Sequence, residues 1–219
     1  MQTSRFDLVI FDCDGVLVDS EPIANRVLCE QLNATGLEID PADVMQRFVG
    51  RTKNGCLELA TELLGRPLPE RFADDWDTAL FEALRREVKT IEGVAEVLDG
   101  IRLPYCVASN GMRARLRLTL ETAGLLARFE GRIFCAEDVA RPKPARDLFL
   151  HAAKAMGAQP RRCAVIEDTT TGTRAAIAAG MTVFGYAGGA HSNRDALQAE
   201  GAVVFGHMND LLPLLEADR

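Results

Sequence analysis

Five short apolar runs constrain this chain more than any other feature. They are Leu8–Phe11, Tyr105–Ala108, Arg132–Cys135, Cys163–Ile166 and Thr182–Phe184. A strand with one wet face alternates apolar and polar side chains, whereas a strand covered on both faces reads as a continuous apolar run. Segments with helical spacing lie between the runs, at Met112–Ala123, Asp147–Met156 and Thr171–Ala179. Gly124, Gly157 and Gly180 follow them directly, where a helix ends most readily in a left-handed turn. A sixth short strand near Ala202–Phe205 and a last helix near Asn209–Leu215 extend the alternation. The pattern predicts an α/β fold built on a doubly wound, Rossmann-like parallel sheet.

The alternation breaks once. From about Glu21 to Val88 no buried strand can be read, and Glu21–Ala34, Asp43–Phe48, Asn54–Leu64 and Pro69–Arg86 all carry helical character. That is too much helix for one crossover, so the segment reads as an inserted α-helical cap domain. The expected division is a catalytic core of residues 1–19 and 88–219 with a cap of residues 20–87.

Of the 219 residues, 47% are hydrophobic, enough for one sizeable core and a satellite. The formal net charge of -7 argues against nucleic acid as a partner, because a phosphate-backbone surface needs a basic excess. The six cysteines are scattered with no Cys-x-x-Cys pair, which predicts reduced thiols rather than a zinc or redox site. The sequence offers no membrane span and no secretory leader. A cytoplasmic monomer is the expectation.

Ligands of an open parallel sheet gather outside the carboxyl ends of its strands. The first run ends in Asp12-Cys13-Asp14-Gly15 and the second in Ser109-Asn110-Gly111; the third leads to Arg141-Pro142-Lys143-Pro144, and the fourth ends in Glu167-Asp168-Thr169. So many acids in one crevice need a counter-charge. Asp12 and Asp168, with no His or Cys pattern nearby, suit Mg²⁺ rather than zinc. The Ser109 hydroxyl and the main-chain N–H groups of the turn it opens form an anion site ahead of a helix. Lys143, held between two prolines, adds a fixed positive charge. Together they describe a phosphate site. A carboxylate in line with phosphorus can attack it to form an aspartyl-phosphate, and a second carboxylate can protonate the leaving oxygen and later deprotonate water. Each piece alone is a common turn or calcium-loop fragment. Their ordered recurrence at successive strand ends is what carries meaning.

With these four segments, the sequence resembles the haloacid dehalogenase-like hydrolase superfamily, in its phosphatase branch with a helical cap. FDCDGVLVDSE (11–21), VASNG (107–111), RPKP (141–144) and IEDTTTGTRAAIAAGM (166–181) are similar to its four ordered motifs. The resemblance implies Asp12 as nucleophile and Asp14 as acid/base, with Ser109, Asn110 and Lys143 around the phosphoryl group. It implies Mg²⁺ on the Asp12 carboxylate, the Asp14 carbonyl and Asp168, with Glu167 as a further ligand or just behind. Asp14 itself favours phosphoryl transfer over dehalogenation. Two departures stand out: Thr169 where Ser is frequent, which keeps the hydroxyl, and Arg146 where Pro is frequent, which leaves the geometry of that loop open.

A phosphosugar mutase of the β-phosphoglucomutase type is the nearest alternative. Such mutases carry a His at the position matching Ala24, and an Ala cannot relay a proton, so hydrolysis is favoured. A phosphonate-cleaving relative would need a cap lysine for a Schiff base, and nothing marks Lys53 as desolvated. A receiver-type signalling domain would need neither the second Asp nor so large an insert. The expected substrate is a small phosphate monoester, a sugar phosphate or phosphorylated sugar acid. IEGVAEVLDGIRLPYCVASNG (91–111) and HAAKAMG (151–157) resemble bacterial enzymes acting on 6-phosphogluconate and related sugar phosphates. The polar turn FVGRTKNG (48–55) nominates Arg51 and Lys53 as cap residues that read the rest of the substrate. Asp19 is expected to be a hinge or turn acid. Trp76 is expected to pack between cap helices, and His151, His191 and His207 to lie at the surface.

Overall fold

Six parallel strands build the sheet: β1 (Leu8–Phe11), β2 (Tyr105–Ser109), β3 (Ile133–Cys135), β4 (Cys163–Glu167), β5 (Thr182–Tyr186) and β6 (Val203–Phe205). Their spatial order is β3-β2-β1-β4-β5-β6. The computed structural model describes residues 5–48, 51–189 and 192–217. All four side chains of β1 and all five of β4 are buried, because these central strands have helices on both faces. Each large apolar side chain so buried contributes about 2 kcal/mol.

Between Ser20 and Val88 the described residues form four helices, α1 (Glu21–Ala34), α2 (Pro41–Phe48), α3 (Lys53–Leu64) and α4 (Phe72–Glu87). The rest are α5 (Val94–Gly100), α6 (Arg113–Thr122), α7 (Leu126–Phe129), α8 (Asp147–Ala155), α9 (Thr170–Ala178), α10 (Arg194–Ala199) and α11 (Leu211–Glu216). The chain divides into two compact units, one running through Asp19 and resuming at Lys89, the other Ser20–Val88.

In the sheet unit, Leu8 and Ile10 share one face with Leu148, Phe149, Ala152 and Ala153 of α8 and Ala175 and Ala176 of α9. On the other face, Phe11 meets Tyr105 edge-on at 6.3 Å, and Tyr105 meets Phe129 of α7 at 5.3 Å. The helical unit has its own core, where Leu28, Leu32, Val44, Phe48, Cys56 and Phe72 converge. Trp76 packs against that core, as expected, with its ring 6.4 Å from Phe72.

The parallel sheet anticipated from the apolar runs is thus the one that forms. Gly124, Gly157 and Gly180 end their helices with φ of 72°, 72° and 77°. Three helices escaped the reading: α5, α7 and α10 span only seven, four and six residues, too short to display a 3.6-residue period. The last helix of the insert starts at Phe72 rather than Pro69, because Pro69–Phe72 closes a turn first, Phe72 N–H donating to Pro69 O at 2.9 Å. All six cysteines are buried and free. No helix among the described residues is long and apolar enough to cross a membrane.

Candidate active site

The strand order reverses at β1, which has β2 on one side and β4 on the other, and this is where a crevice opens at the carboxyl ends of a doubly wound sheet. Asp12 follows β1 directly. Its N–H continues the ladder by donating to Ile166 O at 2.9 Å, which sets its carboxylate beside Glu167 and Asp168 at the end of β4. Ser109 closes β2, one strand over. Asp12, Ser109, Lys143, Glu167 and Asp168 are all buried polar residues.

Lys143 ties this cluster together. Its Nζ donates to Asp12 Oδ1 at 2.6 Å and to Glu167 Oε1 at 2.7 Å, and it lies 4.7 Å from the centre of the Phe149 ring. Burial opposes the charge on Lys143, but Asp12 and Glu167 more than offset this and hold its pKa above the ordinary lysine value. Burial pushes the Asp12 carboxyl well above the usual carboxylate range; Lys143 resists the rise, while Glu167 and Asp168 add to it.

The Glu167 carboxylate has no oxygen to spare. Oε1 takes the Lys143 ammonium, and Oε2 accepts from Asp168 N–H at 3.1 Å, Thr169 N–H at 3.0 Å and the Thr169 hydroxyl at 2.8 Å. Thr169 also caps α9, its Oγ1 accepting from Gly172 N–H at 3.1 Å, so the hydroxyl that replaces the more frequent Ser is fully used. Gly172 went unremarked in the sequence beyond its place in a motif. A Cβ there would stand 1.6 Å from Glu167 Oε1, so only glycine lets α9 start this close to the site.

Asn110 has a task besides the main-chain one its place in the turn suggested. Its side chain clamps the main chain of Lys143, Nδ2 donating to Lys143 O and Oδ1 accepting from Lys143 N–H, both at 2.9 Å. What Asn110 can offer an anion is therefore its main-chain N–H; that of Gly111, next to it, donates to Ser109 Oγ at 3.3 Å. The first N–H of α6 is already taken, because Arg113 N–H donates to Glu137 Oε2 at 2.6 Å. With the helix start so occupied, the Ser109–Gly111 turn stays the candidate for the expected anion cradle. In the loop whose geometry Arg146 left open, Arg141 pairs with Asp147 at 2.9 and 3.0 Å, bridging the loop to the start of α8.

Asp14 sits in a tight loop after β1, where Gly15 N–H donates to Val18 O at 2.8 Å and Leu17 N–H to Cys13 O at 2.9 Å. Arg115 of α6 reaches its Oδ1 at 3.2 Å. Sequence reasoning missed Arg115; its only sign was an arginine at every second position of Arg113-Ala-Arg115-Leu-Arg117. Asp19 is exposed and its N–H donates to Lys89 O at 2.9 Å, where the chain re-enters the sheet unit.

Arg51 and Lys53 belong to the helical unit. Arg51 Nε donates to Arg47 O at 2.7 Å, and Lys53, the first residue of α3, pairs with Asp77 at 2.5 Å. Both are exposed. Val49 and Gly50 of that turn lie outside the described residues, as does His191, while His151 and His207 are exposed.

Among the described residues, no group of three or more His, Cys, Asp or Glu side chains is arranged to hold a metal ion. The expected donors need only two carboxylates, from Asp12 and Asp168, and one main-chain carbonyl. Asp12, Glu167 and Asp168 are buried together with one ammonium, which bonds the first two, and a hard divalent cation that keeps much of its water fits the surplus of negative charge.

Residues 6–180 match the family model for haloacid dehalogenase-like hydrolases, and the chain belongs to that family. The 6-phosphogluconate phosphatase of Escherichia coli (strain K12) is 31% identical over 98% of this chain and 96% of its own length. Among solved structures, a haloacid dehalogenase-like protein of unknown function from Agrobacterium tumefaciens is 38% identical, with a TM-score of 0.86 over 96% of this chain and 97% of its own. A family hydrolase from Deinococcus radiodurans R1, solved with bound phosphate and sodium, is 36% identical, with a TM-score of 0.84 over 97% and 96%.

Proposed function

We propose that the protein is a Mg²⁺-dependent phosphatase that hydrolyses a small sugar phosphate or phosphorylated sugar acid, such as 6-phosphogluconate, through an aspartyl-phosphate on Asp12. The observation that carries this reading is the buried Lys143 bonded at once to Asp12 and Glu167, with Asn110 of the Ser109 turn bonded to its main chain and a second acid, Asp14, two residues beyond Asp12. Ser109 Oγ, the main-chain N–H groups of the turn and Lys143 receive the phosphate oxygens. The relative that holds phosphate and sodium supports an anion and a cation at such a site, and the 6-phosphogluconate phosphatase supports the substrate class.

Asp12 forms a bond to phosphorus as the bond to the leaving oxygen breaks. The electron pair stays on that oxygen, which takes a proton from Asp14. Water then attacks the phosphorus, gives its proton to Asp14, and the Asp12–phosphorus bond breaks, returning the pair to the carboxylate. When bound, Mg²⁺ would be held by Asp12, the Asp14 carbonyl and Asp168, and would offset the repulsion between nucleophile and phosphate. Glu167 holds Lys143 in place, with both of its oxygens engaged by Lys143, Asp168 and Thr169.

The test is phosphate release from a sugar-phosphate panel, 6-phosphogluconate included, with Mg²⁺ and with EDTA. Release that stops with EDTA and returns with Mg²⁺ is expected. Isomerisation of glucose 1-phosphate in the same samples, without net phosphate release, would replace the phosphatase by a mutase.

A further inference from the structure

Three arginines leave α6 at alternate positions, and each finds a different acid. Arg113 grips both oxygens of Asp138 at 2.5 and 2.6 Å and so fastens the helix start to the loop after β3. Arg117 pairs with Glu130, and this pair is well exposed, with side chains 45% and 61% accessible. Arg115 crosses 101 residues of sequence to reach Asp14, and both partners are largely covered, at 26% and 20%.

A surface ion pair is worth at most about 1 kcal/mol and has no bearing on chemistry. This pair differs in where its acid stands. The main chain around Asp14 is pinned by Gly15 to Val18 and Leu17 to Cys13, so where its carboxylate points is set by the side-chain torsions. The guanidinium comes from a helix anchored by buried Leu116, Thr119 and Leu120, a rigid base for a directional donor.

We propose that Arg115 is a positioning residue for Asp14. Through its bond to Oδ1 it holds that oxygen of the acid/base carboxylate toward α6, and so biases the direction in which Asp14 exchanges a proton with the leaving oxygen. The proposal rests on the phosphatase reading. A donor held in place matters only where a proton is needed: an alkoxide cannot depart without one, whereas nitrophenolate can. The quantity kcat/KM covers the steps up to leaving-group departure, where Asp14 is the donor.

The experiment compares kcat/KM on glucose 6-phosphate and p-nitrophenyl phosphate for the full-length wild type, Arg115→Met, Arg115→Lys, Asp14→Asn, and Arg115→Met combined with Asp14→Asn. The expected result is a loss for Arg115→Met about 10-fold larger on the sugar phosphate than on the aryl phosphate, within the range a positioned acid supplies. Arg115→Lys should recover part of it, and Arg115→Met should cost nothing further once Asp14 is Asn. Equal losses on both substrates, or additive losses in the double variant, would overturn the proposal and leave Arg115 a strut. Should Arg115→Met not fold, Arg115→Lys, which keeps the charge on a shorter-reaching, more flexible head, carries the same two-substrate comparison. A wild type that releases phosphate from neither substrate would defeat the phosphatase reading and this proposal with it.

Discussion

Asn110 holds Lys143 by its main chain, through two 2.9 Å hydrogen bonds that span 33 residues of sequence. The loop between β3 and α8 has no strand to fix it, so this amide sets where the lysine stands. Asn110→Ala removes both bonds and frees the loop. The expected outcome is a fall in kcat/KM of about 100-fold, the scale of a misplacement near 1 Å, with a stability loss of only about 1–2 kcal/mol in urea melts. An unchanged kcat/KM would mean that Lys143 keeps its place unaided.

Asp12→Asn should abolish turnover, by about 10⁴-fold or more in a phosphate-release assay, as removal of a nucleophile does. Its effect on stability has the opposite sign. The Asp12 pKa is raised in the fold, first by burial. A raised carboxyl contributes stability below its unfolded pKa of about 4 and loses it as pH rises through the folded value. Without metal at neutral pH, Asp12→Asn should therefore melt no lower than wild type, and the two curves should converge as pH falls toward 4. Lys143→Met leaves buried carboxylates without their cation and should lose about 3–5 kcal/mol in the same melts.

Gly172→Ala tests the contact between α9 and Glu167. The new methyl would stand 1.6 Å from Oε1 and 2.5 Å from Oε2, so the carboxylate must leave Lys143 or the helix must shift. Overpacking of this kind costs about 1–3 kcal/mol, and activity should fall in proportion to the lost Lys143 contact. Pairing it with Glu167→Gln separates the causes, since the amide keeps the volume and loses the charge.

Arg51→Ala and Lys53→Met test whether the helical unit reads the substrate. The Lys53–Asp77 pair is exposed, so its loss should move stability by no more than about 1 kcal/mol. If either cation binds a second polar group of the substrate, kcat/KM on the best sugar phosphate should fall about 10-fold, the worth of one charge-assisted contact. Unchanged values for both variants would place substrate selection elsewhere.

Much of the protein was legible along the chain because the information was local. A strand covered on both faces shows as an uninterrupted apolar run, as at Leu8–Phe11 and Cys163–Ile166. Glycines such as Gly124 mark helix ends, and acids at strand ends mark a crevice. Arg115 was not legible. An arginine on a helix is ordinary, and only the fold shows that this one meets Asp14. Asn110 was read for its neighbourhood to Ser109, yet its side chain serves a residue that a different segment brings to it.

The amino-acid order by itself determined the strands, their parallel class and the family motifs, since each depends on residues within a few positions of one another. Tertiary structure decided the strand order β3-β2-β1-β4-β5-β6, and with it every contact that crosses strands. Lys143 meets Asp12 across 131 residues and Glu167 across 24. Those distances are set by which strands lie side by side in the sheet, which no local pattern states. The charges of the site were written in the sequence; which ammonium neutralises which carboxylate was settled only when β1 took its place beside β4.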